Sequence, residues 1–292
     1  MKTKWCAALF LLCASTAVYA QNIGISGSLA WNTMEIQTLV SLELASANLK
    51  LPSGRSQGED LINSKYLGLM RPVILGIQAD SSATLGDLVQ RGEWTLAGVN
   101  DLALKACGAS PFLSPDMRNL QASYTIKLEE ISNVLIRHRS PIEIRRVLSP
   151  LPAPAYTGLI IIATEPLPIH GMNSSAQLVP CLFPKIWDTG MNLLFERNML
   201  EQGKKTMAVY SSRKNIFHNS PSGLSPELES LAGPRPLRII ARGLFGDTPT
   251  DLIIDSADAL SILSTEENRR LLHQGKVVII IDDAALMEKV SY

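Results

Sequence analysis

Apolar and polar residues alternate with a period of two in two stretches of the first half of the chain. Ile36–Leu44 places its apolar side chains on one face, and Ala122–Leu128 repeats the pattern. Such alternation predicts half-buried strands of an antiparallel sheet. Turn-forming residues precede the first stretch, so we expect Ile25–Trp31 and Met34–Leu44 to form a hairpin.

Helical periodicity fills the region between these strands. Ser56 followed by Glu59 predicts a capping box, and apolar residues then recur every three or four positions. Pro72 lies inside this pattern, so we expect the helix to end or kink near Met70–Arg71. Two shorter helices are predicted over Thr84–Gln90 and Thr95–Lys105.

The second half of the chain contains continuous apolar runs rich in β-branched residues, which are typical of strands covered on both faces. Asp255 or Ser256 is expected to cap a helix that ends at Leu263, and a capping box at Ser264 predicts a second helix ending near His273. The three strand runs are Leu159–Ile162, Leu237–Ala241 and Val277–Ile281.

A proline-rich stretch divides the two halves, because Pro150, Pro152 and Pro154 favour an extended connector. The predicted fold class is α+β, with two small domains of antiparallel and mixed sheets covered by helices. Before this connector, Arg137–Arg146 is rich in basic residues; a solvated domain edge is the favoured interpretation over a binding patch. The predicted divisions are a signal peptide (1–20), an N-terminal α+β domain (21–148), the proline-rich linker (149–155) and a C-terminal α/β-type domain (156–292).

The first twenty residues have the pattern of a secretory signal peptide. Lys2 and Lys4 precede the uncharged run Trp5–Ala20, which is shorter than the ~20 residues of a membrane-spanning helix. Cleavage after Ala20 is favoured over an uncleaved anchor. Lipidation of Cys13 is a lesser alternative, because a lipoprotein box has a small residue before the cysteine. We expect no transmembrane helix in the mature chain.

Composition and charge narrow the function classes. Apolar residues make up 46%, and 27 basic residues balance 27 acidic residues. This argues against a disordered chain, a polytopic membrane protein and a nucleic-acid partner. Cys107 and Cys181 remain after removal of the signal peptide; a disulfide between them and two buried thiols are equally compatible with the sequence.

Catalytic motifs are absent from the sequence. The four histidines are far apart, and nucleophile elbows and phosphate-binding loops are missing. We therefore expect no enzyme activity, no metal site and no cofactor. The weak acidic candidates are Asp255 and Asp282, each at the end of a predicted strand, although such aspartates more often cap turns and helices.

Several segments resemble exported proteins of Gram-negative and spirochaete envelopes, whose relatives include outer-membrane and flagellar-ring accessory lipoproteins. The carrying segments are Tyr156–Ile161, Pro184–Asp188, Ala241–Gly246 and Leu51–Arg55. The chain departs from the usual pattern at Ile162, where an aspartate is common. The resemblance implies an envelope protein of binding or structural type and assigns no site residue.

Together these features indicate a secreted bacterial protein without catalysis, periplasmic or associated with the outer membrane, whose partner is an envelope or outer-membrane protein. A finer hypothesis gives it an accessory role at the outer membrane or in motility. The alternative is an exported hydrolase acting on cell wall or glycan, suggested by the compartment and by Asp255 and Asp282. A solute-binding protein is disfavoured by the antiparallel first half.

Overall fold

The computed structural model describes residues 23–147, 152–204 and 206–291. The predicted signal peptide, Cys13 and residues 149–151 of the predicted linker lie outside these ranges. Within them, the model contains no helix whose length and hydropathy would suit a membrane span.

The first domain is an antiparallel sheet covered by helices. Its central strands are Ile23–Ala30, Glu35–Glu43 and Asn119–Lys127, in that order across the sheet. One edge is a strand from the far end of the chain, Met287–Ser291, and the short strands Cys107–Gly108 and Phe112–Leu113 form the other edge. In chain order the elements are β1 Ile23–Ala30, β2 Glu35–Glu43, α1 Gly54–Leu75, β3 Gln78–Asp80, β4 Ala83–Thr84, α2 Leu85–Gln90, α3 Leu96–Leu104, β5 Cys107–Gly108, β6 Phe112–Leu113, β7 Asn119–Lys127 and α4 Leu128–Leu135.

The predicted hairpin is confirmed. β1 and β2 pair antiparallel with Ala30 opposite Glu35, and the apolar series of β2 is buried as the alternation predicts. Both predicted short helices are also confirmed, and each begins at a threonine cap: Thr84 accepts from the Asp87 N–H, and Thr95 from the Gly98 N–H.

Helix α1 differs from the prediction at both ends. It begins at Gly54, whose N–H donates to the Lys50 carbonyl at 2.8 Å, so Ser56 lies inside the helix instead of capping it. Glu59 accepts from the Arg55 side chain at 3.0 Å instead of completing a capping box. The helix also continues past Pro72 to Leu75, because the carbonyl that loses its partner belongs to exposed Gly68, where water can replace the N–H.

The second domain contains parallel and mixed sheets. Its elements are β8 Leu159–Ala163, β9 Leu167–Pro168, β10 Ser175–Ala176, β11 Ile186–Asp188, β12 Leu193–Phe195, β13 Val209–Ser212, α5 Pro226–Ala232, β14 Leu237–Ile240, β15 Gly243–Phe245, β16 Asp251–Ile254, α6 Ser256–Leu263, α7 Glu266–His273 and β17 Val277–Ile281, with 3-10 turns at Arg197–Met199, Arg213–Ile216 and Asp283–Leu286. The strand that follows these elements, β18 Met287–Ser291, belongs to the sheet of the first domain.

The three predicted apolar strands lie side by side in one sheet. β17, β8 and β14 are adjacent and parallel, and β13 completes the order β13-β17-β8-β14. A second sheet has the order β12-β11-β16-β15. Asp255 caps α6, and Thr265, one residue after the predicted Ser264, caps α7. Helices together with parallel and antiparallel sheets confirm the predicted α+β class.

The Thr-Gly pair before β8 has a packing role. A Cβ on Gly158 would lie 2.5 Å from the Ala232 carbonyl oxygen, so only glycine allows this approach to the end of α5. The Thr157 hydroxyl donates to the same oxygen at 2.7 Å and accepts from the Arg235 N–H. These contacts fix the entry of the central strand.

The last strand returns to the first domain, although the predicted division counted it with the second. β18 pairs antiparallel with β1, placing Met287 opposite Ala30. Beside this pairing, the Trp31 N–H donates to the Leu286 carbonyl at 2.9 Å, and the Trp31 ring meets the Tyr210 ring edge-on at 5.7 Å. One continuous cluster of buried apolar side chains includes residues of both domains.

A buried carboxylate lies at the seam between the domains. Asp251, with no exposed surface, accepts from the Ser81 hydroxyl of the first domain at 2.9 Å and from the Trp187 indole at 3.1 Å. The Lys185 N–H and the Thr250 hydroxyl donate to its other oxygen at 3.2 and 3.3 Å. The seam thus satisfies a group that would be costly to bury alone.

We expect Asp251→Ala to lower the free energy of unfolding by about 3 kcal/mol, because it leaves several buried donors without an acceptor. Urea denaturation followed by circular dichroism measures the change. Asp247→Ala is the matched control, since Asp247 is exposed in the adjacent turn, and it should change stability by less than ~0.5 kcal/mol. Equal effects of the two substitutions would contradict the assignment.

Candidate functional site

The carboxyl ends of three parallel strands meet at one edge of the β13-β17-β8-β14 sheet. The register places Ser212 opposite Ile281 and Ile281 opposite Ala163. The residues that follow each strand therefore emerge next to one another. In open sheets with parallel strands, this is the edge at which ligands usually bind.

A crevice of about 700 Å³ opens at this edge. Its volume is within the range of small-molecule and peptide sites. Three loops after the strands and one segment after β10 form its walls. The lining residues are Thr164, Glu165, Gln177, Arg213, Lys214, Phe217, Ile281, Asp282 and Asp283.

Charged side chains of opposite sign pair across the crevice. The Lys214 ammonium lies 2.8 Å from the Asp283 carboxylate, which also accepts from the Ser212 hydroxyl. Arg213 lies 3.7 Å from Glu165. These exposed pairs contribute little to stability, but they hold donors and acceptors at fixed positions around the opening.

The Lys214–Asp283 pair is suited to recognition of charged groups and not to proton transfer. Hydrogen bonds from Lys214 and Ser212 lower the pKa of the Asp283 carboxyl, and the bond to Asp283 raises the pKa of Lys214. Both groups therefore stay charged at neutral pH and are poor proton donors and acceptors there. None of the nine described lining residues is a histidine or a cysteine.

An aromatic ring stands exposed beside the charged pairs. Phe217 is 68% exposed, and the Arg213 guanidinium lies 5.7 Å from its ring centroid. A large apolar side chain so open to solvent is unusual and is frequent where a protein meets a ligand or partner.

The two predicted acidic candidates lie at different places. Asp282 lines the crevice, where its side chain caps the following 3-10 turn by accepting from the Ala284 N–H at 2.8 Å. Asp255 is not among the lining residues; it caps α6 and pairs with Arg242 at 3.5 Å. The structure gives both carboxylates a capping role and does not bring them into one pocket.

Both cysteines of the expected mature chain are free thiols in the structure. Cys107 is exposed on the short strand β5, whereas Cys181 is buried. The Tyr210 hydroxyl donates to the Cys181 carbonyl at 3.0 Å, and burial raises the pKa of the Cys181 thiol to about 12. Cys181 therefore has the environment of an unreactive core residue.

Two histidines bond to backbone carbonyls at the 3-10 turn Arg197–Met199. His138 Nε2 lies 2.6 Å from the Leu200 oxygen, and His273 Nδ1 lies 2.6 Å from the Met199 oxygen. In the part of the chain that the structure describes, no three His, Cys, Asp or Glu side chains are arranged as metal ligands.

Sequence reasoning found Asp282 and missed most of the crevice. Strand β13 carries the sequence Val-Tyr-Ser-Ser, which is short and partly polar, so Arg213 and Lys214 were not placed at a strand end. The exposed aromatic residue lies in a region that the sequence presents only as a loop. The sequence feature that could have indicated the crevice is a polar or charged residue shortly after an apolar strand. Glu165 and Asp283 both have this position, after β8 and β17.

Comparison with known proteins matches each half of the chain to a domain of one protein. Residues 22–134 match the N-terminal domain of Treponema pallidum Tp0624, and residues 158–283 match its second domain. The two matched ranges lie on either side of the proline-rich stretch. They agree with the expected resemblance to spirochaete proteins. The significance of the Tyr156–Ile161 segment for that resemblance remains a prediction. No curated protein matches the chain.

The capping role of Asp255 leads to a test. Asp255→Ala should lower the free energy of unfolding by about 1 kcal/mol, because the Ala257 N–H loses its acceptor. Asp255→Asn should be nearly neutral, because asparagine caps equally well. Urea denaturation of the two variants compares them directly, and equal stability of Asp255→Ala and the unaltered protein would contradict a capping role.

Thiol titration tests the state of the cysteines. The mature native protein should react rapidly with Ellman's reagent at about one thiol per chain, because only exposed Cys107 is accessible. Cys107→Ser should abolish the rapid reaction, and the Cys181 thiol should react only after denaturation. A native protein with no reactive thiol until a reductant is added would instead indicate a disulfide.

Proposed function

We propose that this chain, whose two halves match the N-terminal and second domains of Treponema pallidum Tp0624, is an exported cell-envelope protein of binding type, without catalysis. The signal-peptide pattern of residues 1–20 supports export. The crevice at the carboxyl edge of the parallel sheet is the proposed binding site.

This proposal rests on the exposed ring of Phe217, which lies beside two pairs of oppositely charged side chains. Covering this ring would remove on the order of 100 Å² of apolar surface from water, worth about 2–3 kcal/mol. The Lys214–Asp283 and Arg213–Glu165 pairs would then supply orientation and specificity. A partner that covers the ring therefore gains affinity and meets a defined polar pattern.

The expected partner is a protein of the cell envelope. The crevice offers both signs of charge and an aromatic face, which suits a polypeptide better than a strongly charged polymer. An accessory role at the outer membrane or in the flagellar apparatus is the finer form of the proposal. It rests on the resemblance of Tyr156–Ile161 to exported envelope proteins, whose relatives include outer-membrane and flagellar-ring accessory lipoproteins.

Photocrosslinking in cells tests the proposal. A benzophenone amino acid in place of Phe217 should capture one envelope protein on illumination. The same amino acid in place of Phe112 is the matched control, because Phe112 is also exposed, at 44%, but lies on the first domain. Captured bands are identified by mass spectrometry after cell fractionation.

The two positions give separable outcomes. An envelope partner captured at residue 217 and not at residue 112 supports the proposal. Capture of cytoplasmic proteins alone would overturn the export of the protein, and equal capture at both positions would overturn the crevice as the binding site. An absence of any captured protein at residue 217 would overturn a protein partner.

A further inference from the structure

A second cavity lies on another side of the second domain. It has a volume of about 520 Å³ and is bounded by the segment Arg145–Val147, by strand β12 and by helix α6. Neither its lining residues nor its chemistry overlaps with the crevice at the carboxyl edge. It must therefore be explained separately.

Five of the ten lining residues give this cavity an apolar wall. Leu194 from β12 and Ala259 and Leu263 from α6 are buried behind it. Leu260 and Val147 are half-buried on its walls. An apolar wall of this kind favours a hydrocarbon body over a sugar or a nucleotide.

Two arginines stand at the rim. Arg145 and Arg146 both line the cavity and are exposed. Arg145 donates to the Asn192 side-chain oxygen at 3.0 Å. Among the described residues, neither guanidinium forms an ion pair with a carboxylate, so both retain donors for an anion.

Among the described lining residues, the one carboxylate already has hydrogen-bond partners. Asp188 is 9% exposed, and its carboxylate accepts from the Asn192 N–H at 2.8 Å and from the Asn192 side-chain amide at 2.8 and 3.1 Å. Asn192 thus directs its nitrogen atoms toward Asp188 and its oxygen toward Arg145. This arrangement shields the negative charge and orients the positive one.

We propose that this cavity binds a single-chain amphiphilic anion, with an acyl chain against α6 and β12 and a carboxylate head between Arg145 and Arg146. The volume suits one small ligand of this class. The positive charges of Arg145 and Arg146 disfavour a cationic amphiphile. A head group without an acyl chain would leave the apolar wall uncovered and should bind more weakly. The proposal is independent of the crevice and of its partner.

The sequence alone does not show that Arg145 and Arg146 line a cavity. The basic stretch Arg137–Arg146 is consistent with a solvated domain edge, and Arg137 indeed donates to the Val134 carbonyl away from the cavity. Buried Ile144 anchors the segment to the core, so that the next two arginines project at the cavity rim.

Isothermal titration calorimetry with dodecanoate, below its micelle concentration, tests the proposal on the purified protein. Saturable binding of about one dodecanoate per chain is expected, with at least a tenfold weaker affinity for dodecyltrimethylammonium and for acetate. The double variant Arg145→Gln with Arg146→Gln should weaken dodecanoate binding at least tenfold. Leu260→Trp should also weaken it by filling the apolar part.

The matched control is Arg139→Gln with Arg235→Gln, which removes the same charge at exposed positions outside the cavity. It should leave dodecanoate affinity within twofold of the original value. Circular dichroism confirms that each variant is folded. Absence of dodecanoate binding, equal binding of the cationic amphiphile, or equal loss in both double variants would overturn the proposal.

Discussion

The arrangement of the two domains depends on the buried carboxylate of Asp251. An ionised carboxylate loses several kcal/mol of hydration on burial, and burial raises the pKa of Asp251. The bond from Ser81 offsets part of that cost only while the two domains stay together, whereas Trp187 lies in the same domain as Asp251. The Oδ2 atom of Asp251 therefore accepts from both domains, and its Oδ1 atom accepts from Lys185 and Thr250 of the second domain.

The same seam is connected along the chain to one wall of the second cavity. Trp187 lies on β11, which pairs with β16 along Leu252–Ile254, and α6 follows directly from that strand. The same seam continues through Thr248, whose N–H donates to the Ser81 carbonyl at 3.0 Å. A short path of hydrogen bonds and strand pairing thus joins the first domain to the strand that precedes the wall of the second cavity.

The elements with strong periodicity could be predicted from the sequence, because their burial is set by local pattern. β2, β7 and the apolar core of the parallel sheet follow from alternation or from β-branched runs. The start of α1 could not be predicted, since Gly54 joins the helix through a backbone bond to Lys50. The two sites could not be predicted from local pattern. Arg213 and Lys214 follow a strand of only four residues. The placement of Arg145 and Arg146 at a cavity beside Asn192 depends on residues far away in the sequence.

The pairing of β18 with β1 has a consequence for how the chain acquires its structure. The first sheet receives its edge strand from residues near position 290, so a ribosome must synthesise the second domain before that sheet is complete. Contacts of such long sequence separation form late and slow the folding reaction. A nascent chain of this design therefore leaves the edge of its first sheet unpaired until the second domain has been synthesised.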